Sequence, residues 1–241
     1  DVSHEFSPLN LYAAALPGAA VLHGMGLMCR MSLEGPLLGL RRPSQKDVDA
    51  QRYLARSWKI IEVMGLSFFG WYILRHEPFL PSSLGGGGQT AALFPKGQRL
   101  VPSTLATYHA FRFAYLLEWW IFEDGMQRPL LTMHHIATSI LLCCAVLLGL
   151  AQLGSVIILI HDVWNVPMQI LIWMQQVHCS DVLVVVTYLI SLLFSFHLLF
   201  YCFGWEVVWP SVTREHAASI QWWIIWTMFA LLGIHHVYSV W

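Results

Sequence analysis

Apolar residues run along this chain in long blocks rather than in alternation, and the blocks are separated by short polar or glycine- and proline-rich segments. The pattern predicts helices over about Leu9–Met31, Trp58–Leu74 and Leu105–Phe122, then two from Leu131–Gln176, split near Gly149–Gly154. Two more follow at Val182–Phe203 and Ala217–Trp241. Such runs approach or exceed the roughly 20 residues a helix needs to cross a bilayer. They are too long, and too little alternating, for the ~9–11-residue strands of a membrane barrel. In lipid the backbone must satisfy its own hydrogen bonds, so each span is expected to be helical. The first block is the most mixed, containing Pro17, His23 and several glycines.

The connecting segments orient the spans. Arg30, Arg41, Arg42, Lys46, Arg52, Arg56 and Lys59 place seven of the thirteen Lys and Arg residues in the segment Arg30–Lys59. Read as a loop, this segment is cytoplasmic by the positive-inside rule, with the N-terminus lumenal and the C-terminus cytosolic. A second long loop carries Pro78, Pro81 and Gly85-Gly86-Gly87-Gly88. No Gly-Lys-Ser/Thr follows the glycines and no strand precedes them, so a flexible linker is expected rather than a phosphate cradle. Trp119-Trp120, Trp205, Trp209 and Trp222-Trp223 fall near span ends, where indoles favour the interface.

Composition agrees with the pattern. The chain of 241 residues is 57% hydrophobic and 11% charged, against roughly 25% charged in ordinary soluble domains. Its mean hydropathy is +0.58. An all-α, polytopic membrane protein with six to seven transmembrane helices is the class these values define. The net charge of -1, without a basic face of any size, argues against a nucleic-acid partner. Cys29, Cys143, Cys144, Cys179 and Cys202 sit mostly in apolar context without a CxxC, and read as small hydrophobes.

Against this background, Leu131–Gln176 stands out. His134-His135 near its start and His161-Asp162 in its middle are separated by 25 residues without a charge. Ionisable residues at membrane depth are costly and by default functional. If the two halves form a hairpin turning at Ala151-Gln152, His134 comes level with Gln169 and Thr138 with Asn165. Asp162, Asn165 and Gln169 at i, i+3 and i+7 share one helix face, and Gln176 extends it. From Asp162 to Gln169 the stripe covers roughly 10 Å at 1.5 Å per residue. Pro167 cannot donate to the carbonyl of Val163, which locally opens the same helix. The other intramembrane histidines, His109, His197, His235 and His236, read as helix–helix hydrogen-bond partners. Arg112 and Glu118 read as pairing with other spans or snorkelling.

Two histidines and an aspartate in a slot suit acyl transfer, with a His as base or nucleophile and an Asp fixing its tautomer. They also suit metal binding. Adjacent histidines point about 100° apart on a helix and share one ion with difficulty, and the repeated HxxxH and HxxHH boxes of membrane di-iron oxygenases are missing. Acyl transfer is the favoured chemistry, with no metal assigned. A metal-dependent lipid hydrolase is the weaker alternative.

Met133-His134-His135-Ile136-Ala137-Thr138, followed by Ile160-His161-Asp162, resembles the Lag1 motif of ceramide synthases within the TLC-domain superfamily. Arg56-Ser57-Trp58-Lys59, the aromatic segment Tyr115–Phe122 and the stretch Phe203–Arg214 with Trp209-Pro210 extend the likeness. The resemblance implies an N-terminal helix and basic cytosolic segment over residues 1–49. Residues 50–241 would then form a TLC domain, a helical barrel enclosing a lipid tunnel. It further implies a sphingoid-base N-acyltransferase in the endoplasmic reticulum membrane. Its co-substrate would be a fatty acyl-CoA, with no further cofactor, and its acceptor sphinganine or sphingosine. Membrane lipids would surround it, and a homodimer or heterodimer is admitted as its assembly.

On that reading His134 and His135 are catalytic and His161 and Asp162 support them. Thr138, Asn165 and Gln169 line the substrate slot. Arg52, Arg56 and Lys59, at i, i+4 and i+7, would meet the CoA phosphates at the cytoplasmic mouth. The family continues its His-Asp with a second Asp and then a Glu, where this chain has Asn165 and Gln169. Both are near-isosteric but uncharged. They are the best sequence support for the other reading, a non-catalytic TLC protein that binds or senses lipid and shapes membrane composition.

Overall fold

The structure is a computed structural model that describes residues 5–6, 8–39, 47–93, 101–122, 129–177 and 179–209. Its helices are α1 (Pro8–Gly39), α2 (Asp47–Leu74), α3 (Ser103–Phe122), α4 (Pro129–Leu147), α5 (Ala151–Gln176) and α6 (Asp181–Phe196). A wider, π-type helix over His197–Val208 continues α6. Two-residue strands β1 (Glu5–Phe6) and β2 (Val101–Pro102) pair antiparallel and clip the start of α1 to the start of α3. The protein is therefore a helical membrane protein, as the block pattern predicts. The span expected over Ala217–Trp241, with His235 and His236, lies outside the described residues.

Cross-helix contacts establish an alternating, up-and-down order. A β-carbon at Gly18 would touch Ala114, and His23 bonds Glu118. Both contacts advance together along the chain, so α1 and α3 are parallel. Ser57 bonds Trp173 whereas Gly70 lies by Leu159, so α2 runs antiparallel to α5. His109 meets Ser155 and Arg112 meets Asp162, so α3 and α5 share a direction. The odd-numbered helices thus point one way and the even-numbered ones the other.

The hub is α5. Every residue from Ala151 to Ile160 is buried, while positions 165–170 are half-buried. Helix α5 and the run Asp181–Val208 are long and apolar enough to cross a bilayer. They use that capacity differently. Nearly all of α6 exposes apolar side chains such as Val182, Leu183, Leu189, Ile190 and Leu193, as a lipid-facing helix does. Hydroxyls in the apolar helices are absorbed by their own backbone, Ser191 Oγ donating to Thr187 O and Ser195 Oγ to Ser191 O.

Three expectations are corrected. The basic segment Arg30–Lys59 is mostly helix rather than loop: Arg30 lies in α1, and Arg52, Arg56 and Lys59 lie in α2. Residues 47–58 include the good helix formers Ala50, Gln51, Arg52, Leu54, Ala55 and Arg56. Arg41, Arg42 and Lys46 lie outside the described residues.

The α4–α5 turn comes earlier than expected. Gly149, at φ 70°, ends α4 in a left-handed conformation. Leu150 N–H donates to Ala145 O at 2.7 Å and Gly149 N–H to Val146 O at 3.2 Å, the paired bonds of a Schellman cap. Ala145 consequently packs on Gly154, where a turn at Ala151-Gln152 would have set it against Ile158. Counting from that contact, Thr138 comes level with His161 and His134 with Asn165.

The tetraglycine segment is a built turn rather than a flexible linker. Gly86 N–H donates to Pro81 O, Gly88 N–H to Leu80 O and Gln89 N–H to Pro78 O. Gly85 and Gly88 have φ of 85° and 66°, a region costly for side-chain-bearing residues. A β-carbon at Gly86 would clash with the carbonyl oxygen of Leu80. The turn buries Phe79, Leu80 and Leu93 at one end of the bundle. Ser82 Oγ donates to Glu206 at 2.6 Å, and Ser83 Oγ donates to the same carboxylate, locking this cap to the π-type helix.

Gly86→Ala is therefore expected to lower the thermal midpoint of the purified protein by several degrees, corresponding to at least about 1 kcal/mol. Gly65→Ala, in α2 with nothing within 4 Å of the added carbon, should be neutral or stabilising by up to about 1 kcal/mol. Equal midpoints for Gly86→Ala and the parent would mean that the segment is a linker after all.

Candidate functional site

Midway along α5 the helix carries a full negative charge. Asp162 is 4% exposed, the twelfth of the 26 residues of α5. Arg112 of α3 meets it, Nη2 donating to Oδ1 at 2.9 Å with both side chains 6% exposed. The guanidinium lies 5.2 Å from the ring centroid of Tyr115, one turn further along α3. Tyr115 OH accepts from Lys59 Nζ at 2.8 Å, and Lys59 pairs with Glu62 at 2.9 Å. Two cations and two anions thus run from α5 across α3 to α2 and cancel.

A neutral cluster lies towards the cap. His109 Nε2 is 3.0 Å from both Ser155 Oγ and Ala151 O, while Ser155 Oγ donates to Ala151 O at 2.8 Å. Because the serine proton is committed to the carbonyl, Nε2 of His109 is the donor to its two oxygens. His109 is thus a helix–helix hydrogen-bond partner, as the sequence suggests. Glu118 also follows its expected course, pairing with His23 of α1 at 2.8 Å.

The predicted histidine site is arranged differently from expectation. Asp162 does not orient an imidazole among the described residues; its partner is Arg112. Adjacent positions on a helix diverge by about 100°, so His161 and Asp162 face different neighbours. A guanidinium also brings a full charge and planar donors, and so holds a buried carboxylate better than a neutral ring does. His161 instead meets Asn165 on its own helix, Asn165 Nδ2 lying 3.1 Å from His161 Nδ1. An amide nitrogen can only donate, so Nδ1 accepts and the ring proton sits on Nε2. An aspartate at position 165 would favour the opposite tautomer. The substitution of Asn for Asp therefore changes what His161 presents, from a basic nitrogen to an N–H donor.

On α4, His135 and Thr138 are both half-buried, and Ser139 Oγ is held by the carbonyl of His135 at 2.8 Å. His134 lies in α4, but its side chain is outside the described residues. Gln169 is half-buried on α5, its Oε1 buried and without a hydrogen-bond partner among the described residues. Of the three basic residues expected at a phosphate mouth, Lys59 turns inward to Tyr115 and Glu62, because these offer an anion and a phenol inside the bundle. Arg56 is half-buried, and the side chain of Arg52 lies outside the described residues. Among the described residues no group of three or more His, Cys, Asp or Glu side chains converges as a metal-ligand set.

Tyr108, Tyr115, Ser155 and Glu62 are site residues that sequence reasoning missed. The signal was present on α3, where Tyr108, Arg112 and Tyr115 at i, i+4 and i+7 make one polar face. What was lacking was the partner helix.

A helical membrane bundle whose central span carries a charge-compensated polar stripe and a histidine-bearing hairpin defines the class. The TLC domain family (TRAM, LAG1 and CLN8) matches residues 52–241, and the chain belongs to that family. This makes it a membrane protein of lipid-related function. No curated protein matches the chain.

Removing either member of the central pair strands a buried charge. Arg112→Met and Asp162→Leu are each expected to cost about 3–5 kcal/mol. The double variant should recover most of that loss. A denaturation cycle on the four proteins measures it, and additive losses would show that the two side chains are not coupled.

Proposed function

We propose that this protein is a lipid N-acyltransferase that moves a fatty acyl group from acyl-CoA to the amine of a sphingoid base. The observation that carries the reading is the α4–α5 hairpin, which sets His135 and Thr138 of α4 beside a helix bearing His161 in one tautomer. In the reaction the amine nitrogen attacks the thioester carbon, the C–N amide bond forms and the C–S bond breaks. An ammonium must first lose a proton. That proton passes to the medium; as the neutral amine attacks, His134 or His135 takes the second N–H proton and returns it to the departing CoA thiolate. In the nucleophilic variant, one of these histidines attacks first and holds the acyl group until the amine displaces it.

His161 takes a different role from the one its motif suggests. With Nδ1 accepting from Asn165, its Nε2–H is a neutral donor suited to the oxygen of the thioester as negative charge develops there. Thr138, level with His161, adds a hydroxyl at the same depth. Asn165 and Gln169 then act as uncharged positioning groups. The acyl chain would lie in an apolar bore between the helices, with the CoA phosphates towards Arg52 and Arg56 at the start of α2. An endoplasmic reticulum location belongs to this same reading.

One observation favours a second reading, a TLC protein that binds lipid without turning it over. The Arg112–Asp162 pair uses the carboxylate that a catalytic imidazole would otherwise lean on.

The two readings separate in a reconstituted assay with long-chain acyl-CoA and sphinganine. Acyl transfer predicts amide product from the parent protein and a rate lower by about 10²–10⁴-fold in His134→Ala or His135→Ala. Full activity in both variants would overturn the catalytic assignment. Stoichiometric co-purified lipid with no turnover of any amine would favour the second reading.

A further inference from the structure

The hydrogen-bonding capacity around the central ion pair is only partly used. Arg112 spends Nη2 on Asp162, while Nε and Nη1 are buried without a hydrogen-bond partner among the described residues. Asp162 Oδ2 is in the same condition, and so is the hydroxyl of Tyr108. Tyr108 is fully buried on α3, one turn before Arg112 and within electrostatic reach of both Arg112 and Asp162. A β-carbon at Gly70 of α2 would lie 3.2 Å from this hydroxyl, so the absence of a side chain there makes its room. Each unmet buried polar atom destabilises the folded protein, and more when it is charged. Four such atoms cluster at the middle of the spanning hub helix.

We propose that Tyr108, Arg112 and Asp162 form a binding site for a neutral, hydroxyl-bearing lipid headgroup at mid-membrane depth. Charge decides the class. Arg112 and Asp162 already cancel, as do Lys59 and Glu62 beside them. An ammonium drawn to Oδ2 would leave one uncompensated positive charge in a low-dielectric interior, and a carboxylate on Arg112 one negative charge. Either is heavily penalised. A hydroxyl adds no charge and supplies both functions the site lacks. Its proton goes to Asp162 Oδ2, and its oxygen accepts from Arg112 and from Tyr108 OH. An ester or ketone accepts but cannot donate, and would leave Oδ2 unmet. The neighbouring His109 commits Nε2 to Ser155 and Ala151, and its Nδ1, buried without a hydrogen-bond partner among the described residues, is a neutral acceptor that leaves the charge balance set by Arg112 and Asp162. The site does not depend on acyl transfer.

Oleyl alcohol, oleylamine and oleate share one chain and differ only in headgroup. Their dissociation constants would be measured on the full chain in nanodiscs, without acyl-CoA. The alcohol should bind most tightly. Tyr108→Phe should weaken the alcohol by roughly two- to tenfold and leave the amine and the acid unchanged. Its melting temperature should not fall, because the lost hydroxyl makes no bond within the described protein. The Arg112→Met/Asp162→Leu double variant gives an independent check and should abolish the headgroup preference. Equal affinity for the three headgroups, tightest binding of the amine or the acid, or an unchanged alcohol affinity in Tyr108→Phe would each overturn the proposal.

Discussion

Arg112 and Asp162 place two full charges at mid-depth in a helical bundle, where neither can be hydrated as it would be in water. That constraint organises much of the rest. A buried ion pair holds only if both partners stay in register, so α3 and α5 cannot slide past one another without stranding a charge. The Tyr115 ring lies against the guanidinium, and the Lys59–Tyr115 bond brings α2 into the same electrostatic unit. The Ser57–Trp173 bond ties α2 directly to α5 nearer the basic end. Three helices are thus locked by polar contacts spread along the membrane normal. Packing of apolar side chains against lipid-like neighbours supplies little such register, since lipid tails are as apolar as the side chains themselves.

The two ends of the bundle differ. At the cap end, the glycine turn, its serines and Glu206 pack over a tight cluster that includes Leu74, Leu80, Leu93, Leu105 and Val207. Towards the other end α5 changes from fully buried to half-buried at residues 165–170, the stretch that carries Asn165, Pro167 and Gln169. The histidines of α4 lie near the start of their helix, level with this half-buried stretch of α5.

Asn165 illustrates how a near-isosteric replacement redirects chemistry. Its size preserves packing, yet exchanging a carboxylate for an amide reverses which partner donates to His161. The same helix meanwhile assigns its one remaining carboxylate, Asp162, to an arginine on another helix.

Much of the fold was legible in the sequence, because lipid leaves the backbone few options and apolar block length reports span length directly. The positions of α3, α5 and α6, a hairpin split within Gly149–Gly154, the structural role of His109 and the pairing of Glu118 with another span follow from local pattern and composition, though the turn itself comes earlier than Ala151-Gln152. Legibility ended where the partner mattered. Asp162 next to His161 reads as a catalytic dyad, but adjacent helix positions diverge, and only packing placed Arg112 on the aspartate's side. The four glycines read as a linker because composition reports flexibility; Leu80 and Pro81 turned them into a close-packed cap whose backbone contacts leave no room for a side chain. Lys59 reads as one of a basic row for phosphates until Tyr115 and Glu62 draw it inward. Periodicity along one chain determines which residues share a helix face. Which charge that face meets is a property of a second helix, and it was decided by the tertiary structure alone.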